Sequence, residues 1–429
     1  MKPVNIGMLG LGTVGSGVVR IVEGHQEDLV RQIGAPVKIS KIAVRSLNKT
    51  RKVNVDPAML TEDPWEVIND PNIDVIVEVM GGVELTLEYI LAALERGKHI
   101  VTANKDLIAQ HGPKILAKAA EKRCDVMYEA SVAGGIPILR TLVEGFSSDR
   151  ITKIMGIVNG TTNYILTKMT QEGASYETVL AEAQRLGYAE ADPTSDVEGY
   201  DAAYKMIILG SLGFHVHLSM SDLDVKGITG VSSEDIACAK RIGHPIKLLG
   251  IAERQDDMIS ISVQPTMIKD THPLASVNGV FNAVYVYGQA VGETMFYGPG
   301  AGDMPTATSV VADLVAVSRN LMLGINGNRN SMIMNEKKLK SDEQIVSKYF
   351  MRLQVADRAG VLAQITQIFA EQEISLESVI QTPNSEHQGE TEIIIITHNA
   401  SKSGMNHVLE RFAAIDAVKA VRSVYRVEG

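Results

Sequence analysis

The chain has 429 residues, 45% hydrophobic and 21% charged, and 41 basic against 51 acidic side chains give a formal charge of −10. At roughly 150 residues per domain several domains are expected, and so acidic a surface disfavours phosphate backbones and anionic lipid, so neither nucleic acid nor membrane is an expected partner. Two cysteines, Cys124 and Cys238, exclude a disulfide scaffold and a paired-cysteine metal knuckle; with no signal-peptide layout and no apolar run of roughly 18 residues, a cytoplasmic protein is expected.

Residues 4–9 read as a short buried strand, followed by Gly10, Gly12 and Gly15 and then by Val14, Val18, Val19 and Val22 at helical spacing. Further strands are expected at 37–45, 73–79, 98–102 and 125–129, with helical patterns at 85–96 and 113–122. Strand–helix alternation with short connections argues a parallel sheet covered on both faces. Residues 1–130 are therefore read as one doubly wound domain of the Rossmann type. From 131 the pattern changes. Strands at 151–158, 246–254, 258–264 and 281–290 and helical blocks at 175–186 and 199–214 suggest an α+β domain extending to 302. Residues 303–323 form a helix-length apolar pattern expected to fold back on the first domain, and the Asn-, Gly- and Lys-rich stretch 324–346 reads as a linker. Within 347–429 the order is strand 348–355, helix 361–372, strands 374–381 and 391–398, helix 402–415 and strand 417–427. That βαββαβ order is ferredoxin-like.

Four stretches carry candidate chemistry. The first is Gly10-Leu11-Gly12-Thr13-Val14-Gly15. A GxGxxG alone is weak, but here it follows a strand and opens a helix. There the glycines serve a tight turn, close approach of a pyrophosphate and helix–strand packing, and the helix N-terminus offers N–H groups to the phosphates. The second is the end of the next strand, Ala43-Val44-Arg45-Ser46, followed by Lys49, Arg51 and Lys52. An acid at this place holds a ribose 2′-hydroxyl, whereas a guanidinium fork suits a 2′-phosphate. Arg45 therefore favours NADP over NAD, with a solvated basic loop as the plainer reading. The third is Thr102-Ala103-Asn104-Lys105 at a strand end, where open α/β sheets place their ligands. The fourth, residues 183–205, gathers Glu190, Asp192, Asp196, Glu198 and Asp201 around Gly187, Pro193 and Gly199 and ends in Lys205. Asp201 and Lys205 are four apart on an otherwise apolar helical pattern, so they share a face. A lysine in a partly desolvated site is a usable acid or base. The acids alone are also compatible with a divalent-cation site or a solvated loop, although the spacing is not that of an EF-hand.

The motifs GLGTVG at 10–15, TANK at 102–105, EASVAGGIP at 129–137 and NGTTNYIL at 159–166, together with the 183–205 segment, resemble those of homoserine dehydrogenases. These enzymes interconvert L-aspartate 4-semialdehyde and L-homoserine in threonine, methionine and isoleucine biosynthesis. The resemblance implies Lys205 as proton donor and Lys105 as the second lysine at the reacting end of the substrate. It implies Glu190 and Asp201 as homoserine ligands, with Asp196, Tyr188, Gly160 and Thr161 lining the pocket. Gly10, Leu11, Gly12, Thr13, Val14, Gly15, Arg45, Lys105, Gly187 and Gly302 would serve the cofactor, the stretch Gly300-Ala301-Gly302 matching a loop that returns to the nicotinamide. A sodium ion held by Glu129 and by carbonyls of Val132, Gly134 and Ile136 is implied in the same way, since carbonyl ligands leave almost no sequence trace. A homodimer or homotetramer is the expected assembly.

Asp357-Arg358-Ala359-Gly360-Val361-Leu362-Ala363 and Ile368-Phe369-Ala370 resemble an ACT domain, a module that pairs and binds amino acids. This implies L-threonine as effector, against a dimerisation module that binds nothing. The rival readings are another amino-acid-linked dehydrogenase on this scaffold and a non-catalytic amino-acid sensor. Intact Lys105, Glu190, Asp201 and Lys205 speak against the sensor, which needs no proton donor.

Overall fold

The structure, a computed structural model, describes residues 2–327, 334–383 and 389–429. Part of the expected linker, 328–333, lies outside the described residues. The chain separates into two compact units, one of residues 1–160, 201–222 and 280–337, the other of 161–200, 223–279 and 338–429.

The first unit contains a sheet of β1 (Val4–Leu9), β2 (Val37–Ala43), β3 (Leu60–Thr61), β4 (Val75–Glu78), β5 (His99–Thr102) and β6 (Val126–Met127). Its order is β3-β2-β1-β4-β5-β6 and every pairing is parallel. This is the dinucleotide-binding order, and its direction reverses between β1 and β4. Strands β4 and β5 are buried at every residue, as a sheet covered on both faces requires. The helix Asp303–Leu323 packs within this unit. A Cβ on Gly17 would stand 2.6 Å from the Asp303 carbonyl and 2.7 Å from the Ala307 methyl, so the helix Thr13–Gly24 touches it closely.

The same unit holds an antiparallel sheet of Ile151–Ile157, Phe281–Gly288 and Gly292–Pro299. The expected strand 281–290 is thus a hairpin arm. Asp149 accepts N–H bonds from Ala290 (2.8 Å) and Val291 (2.9 Å) and fixes the turn. The helix expected at 113–122 begins earlier, at Lys105, and carries Pro113 inside it. Asn104 caps its first turn by accepting the Leu107 N–H at 3.1 Å, and this cap outweighs the proline as a start signal.

The second unit contains the strands Ile246–Gln255 and Met258–Ile268 as an antiparallel pair. The chain's last strand, Val418–Glu428, pairs in parallel with Met258–Ile268 and is followed across the sheet by Val346–Ala356, Glu390–Thr397 and Leu376–Pro383. With the helices Val361–Glu371 and Lys402–Ala413, whose Phe369 and Phe412 rings meet edge-on at 5.6 Å, this is the ferredoxin-like arrangement. Its sheet faces the helix Ser233–Arg241 through a buried polar knot. Asp235 accepts from Arg352 Nε (2.9 Å), Ser423 (2.6 Å) and Tyr425 (2.9 Å). Several helices have no counterpart in the sequence reading, among them Gly160–Glu172 and Ser233–Arg241. The first buries residues on several faces and so shows no stripe. The second is short, but its Ser232–Asp235 capping box was a readable signal.

Candidate active site

At the switch point the glycines have distinct surroundings. Gly10 has φ +108°, and a Cβ there would meet the Val79 carbonyl at 2.8 Å and the Met80 nitrogen at 2.9 Å. A Cβ on Gly15 would meet the Gly10 carbonyl at 2.6 Å. Gly12, the N-cap of the helix Thr13–Gly24, has open space where its side chain would be. Tight turn, close packing and an open face beside free helix N–H groups are what a pyrophosphate requires, so the residues fit a dinucleotide. Arg45 is exposed just beyond β2. Arg51 is consumed locally, donating to the carbonyls of Ser46 (2.6 Å), Leu47 (2.9 Å) and Lys49 (3.0 Å). It shapes the basic loop and leaves Arg45 as the guanidinium that no described residue engages.

Lys105 opens the helix Lys105–Lys122 at the carboxyl end of β5, and Asp201 and Lys205 stand one turn apart on the helix Tyr200–Phe214. Asp201 joins the two lysines. Its Oδ2 accepts from Lys205 Nζ at 2.6 Å and from Asn159 Nδ2 at 2.8 Å, and its Oδ1 lies 3.3 Å from Lys105 Nζ. Lys205 also donates to the Val158 carbonyl at 2.8 Å. Burial pushes the Asp201 carboxyl upward, but the adjacent Lys205 and Lys105 charges outweigh it and hold the group below its ordinary range. The cluster is thus a desolvated carboxylate flanked by two half-buried ammonium groups. Asn159 and the Val158 carbonyl belong to it and were not singled out from the sequence; Asn159 opens a motif that was quoted, but its target lies on another element.

Most of the remaining substrate candidates sit in the second unit. Thr161 donates to the Tyr188 carbonyl at 2.6 Å, and the Tyr164 and Tyr188 rings lie 4.9 Å apart. Tyr188 and Glu190 are exposed and Asp196 is half-buried. Gly187 ends the helix Tyr176–Leu186 in a left-handed conformation with φ +77°. In the first unit, a Cβ on Gly160 would stand 2.8 Å from the Val280 carbonyl, so this place tolerates only glycine without a shift.

Glu129, Val132, Gly134 and Ile136 fall on one tight loop. Glu129 is buried and accepts the Leu139 (2.7 Å) and Arg140 (2.8 Å) N–H groups. Gly134 has φ +51°, its carbonyl accepts the Ser309 hydroxyl at 2.7 Å, and its Cβ would stand 2.4 Å from the Gly300 carbonyl. The loop before Gly302 is therefore pressed onto the expected ion loop. The expected donor set, one carboxylate and carbonyls, is all oxygen and hard, as an alkali or alkaline-earth ion requires. Asp313 accepts the Glu129 N–H (2.8 Å) and the Arg140 guanidinium (2.6 Å), and burial pushes its carboxyl up to about 7. An apolar cavity of about 320 Å³ lies along the helices Lys105–Lys122 and Tyr200–Phe214, walled by Ile108, Leu116, Ile207, Ile208 and Leu212. Neither Lys105 nor Lys205 is on its wall.

A dinucleotide-binding sheet with a lysine–carboxylate–lysine cluster in its first unit defines the class, an oxidoreductase with an NAD-binding domain. Comparison with known proteins narrows it. The family model for homoserine dehydrogenase matches residues 137–315, that for the homoserine dehydrogenase NAD-binding domain residues 10–129, and that for the ACT domain residues 349–417. The chain is 54% identical to the homoserine dehydrogenase of Bacillus subtilis over 429 residues, covering 100% of this chain and 99% of the other, and 43% identical to that of Pseudomonas aeruginosa with the same coverage. The crystal structure of a homoserine dehydrogenase from Thiobacillus denitrificans superposes with a TM-score of 0.94 at 40% identity, covering 100% of this chain and 99% of that one. A hyperthermophilic archaeal homoserine dehydrogenase in complex with NADPH superposes with a TM-score of 0.63 at 27% identity, over 74% of this chain and 98% of that one. The chain belongs to the homoserine dehydrogenase family.

Proposed function

We propose that this protein interconverts L-aspartate 4-semialdehyde and L-homoserine with NADP as preferred dinucleotide, and that Lys205 is the proton donor. The observation that carries this is the Lys105–Asp201–Lys205 cluster. The nicotinamide, when bound, supplies the hydride to the aldehyde carbon. Negative charge then develops on the aldehyde oxygen, and a positioned cation stabilises it and completes the alcohol with a proton. Lys205 directs two N–H bonds to Val158 and Asp201, which leaves the third for that oxygen. Lys105, held on the other carboxylate oxygen, orients the substrate. Glu190 and Asp201 are the proposed ligands of the substrate ammonium, and Asp196, Tyr188, Gly160 and Thr161 are further proposed substrate contacts. Asp201 already accepts three donors, so it has little spare capacity and Glu190 takes the larger share. Gly187 and Gly302 are proposed on the cofactor side. Sodium on the Glu129 loop would brace the turn against 300–302.

Arg45 supports the NADP preference, because a free guanidinium fork beyond β2 suits a 2′-phosphate. The relative solved with NADPH is in keeping with it. L-Threonine is the proposed effector of the ACT domain, and a homodimer or homotetramer in the cytoplasm the proposed state. No helix among the described residues is long and apolar enough to cross a membrane.

The test is initial-rate NADP⁺ reduction with L-homoserine, with and without L-threonine. Lys205→Ala is expected to lower turnover by roughly 10²–10⁴-fold, the usual worth of acid–base catalysis; near-normal turnover would remove Lys205 from the role. Arg45→Ala is expected to weaken NADP more than NAD, and equal losses would refute the phosphate contact.

A further inference from the structure

Glu78 closes β4 and is completely buried. It lies far in sequence from both catalytic lysines, yet its two oxygens reach the two loops that border the crevice. Oε1 accepts the N–H groups of Met80 (2.9 Å) and Gly81 (3.1 Å). Oε2 accepts the Thr102 hydroxyl at 2.5 Å. The Thr102 oxygen in turn accepts the Asn104 N–H at 3.0 Å while its own proton goes to Glu78. Asn104 accepts the Leu107 N–H at 3.1 Å, which sets the first turn of the helix that begins at Lys105. Its amide also donates to the Gly82 carbonyl at 2.7 Å and closes the ring of bonds back onto the 79–82 loop.

That loop backs the glycine-rich turn, since Val79 and Met80 are what a Cβ on Gly10 would strike. Burying a carboxylate on neutral donors is costly, and burial does push this carboxyl up. A carboxylate buried in this way adds little to fold stability by itself.

We propose that Glu78 is a positioning residue for the reaction: through Thr102 and Asn104 it sets the backbone from which Lys105 projects, and through the Met80 and Gly81 N–H groups it sets the loop behind the glycine-rich turn. The proposal rests on the assignment of Lys105 to the reacting end of the substrate. A shift of about 1 Å in such a group costs up to roughly 100-fold in rate.

The test compares Thr102→Val, which removes the hydroxyl, with Thr102→Ser, which keeps it, in kcat for homoserine oxidation. About a tenfold loss is expected for valine, with recovery by serine and an unchanged KM for NADP⁺. Glu78→Gln keeps an oxygen for the loop but turns an amide toward Thr102, and it should match valine; it carries the comparison if Thr102→Val does not fold. In a Lys105→Ala background the same changes should cost nothing further, because both act through one group. Wild-type kcat in Thr102→Val and Glu78→Gln, or a full extra loss on top of Lys105→Ala, would overturn the relay. Lys105→Ala with normal turnover would instead overturn the role of the lysine, a separate outcome read from that variant alone.

Discussion

Asp201 balances two ammonium groups on one buried carboxylate, and the Glu129 loop does the opposite. Glu129 and Asp313 lie together with the single guanidinium of Arg140. Burial first, and then the Glu129 charge, lift Asp313 to about 7 against the Arg140 attraction. The sign follows from linkage. As pH rises from the ordinary carboxyl range toward about 7, the unfolded chain releases the Asp313 proton while the folded chain keeps it. Stability from this group is therefore full in acid, falls through that window and levels off above it. Asp313→Asn keeps one accepting oxygen, turns a non-titrating amide toward the other donor at some cost in stability, and should flatten the decline in Tm between about pH 4 and pH 7; an unchanged slope would show that Asp313 is ionised throughout. The residues of this loop illustrate what a sequence hides. Asp313 reads only as a polar place on an apolar helix, and its target is the Glu129 backbone 184 positions away.

The glycine turn is the element on which local pattern and final structure agree best. Its three glycines were readable because a strand precedes them and a helix follows. Their different constraints give a clean contrast. Gly12→Ala adds a methyl to open space, so it should fold with an unchanged Tm and lose dinucleotide affinity. Gly15→Ala drives a methyl against the Gly10 carbonyl and should cost about 1–3 kcal/mol of stability as overpacking does. Urea titration beside a dinucleotide binding curve separates the two, and equal Tm losses would sink the distinction. The helix Gly160–Glu172 shows the limit of periodicity. Its buried residues include Thr162, Asn163 and Thr167 as well as Tyr164, Ile165 and Leu166, so no apolar stripe marks it.

At the level of the whole chain, the C-terminal domain is more than an appended module. In the second unit its last strand pairs with Met258–Ile268, and Asp235 is buried against Arg352, Ser423 and Tyr425. Truncation would strip that strand of its neighbour and leave a buried carboxylate unpaired. Arg352→Ala is a gentler probe and should cost about 3–5 kcal/mol, the usual result of breaking one side of a buried ion pair; a loss below about 1 kcal/mol would place the pair among solvent-screened ones. Most of the strand and helix order, the dinucleotide turn and the βαββαβ tail follow from local signals, because periodicity, glycine spacing and strand ends are written in neighbouring residues. The carboxylate between the lysines, the Glu78 relay, the Asp235 knot and the compact units of the chain were decided by tertiary contact. Each depends on groups brought together by a buried core from distant places in the chain, and no neighbouring residue records that meeting.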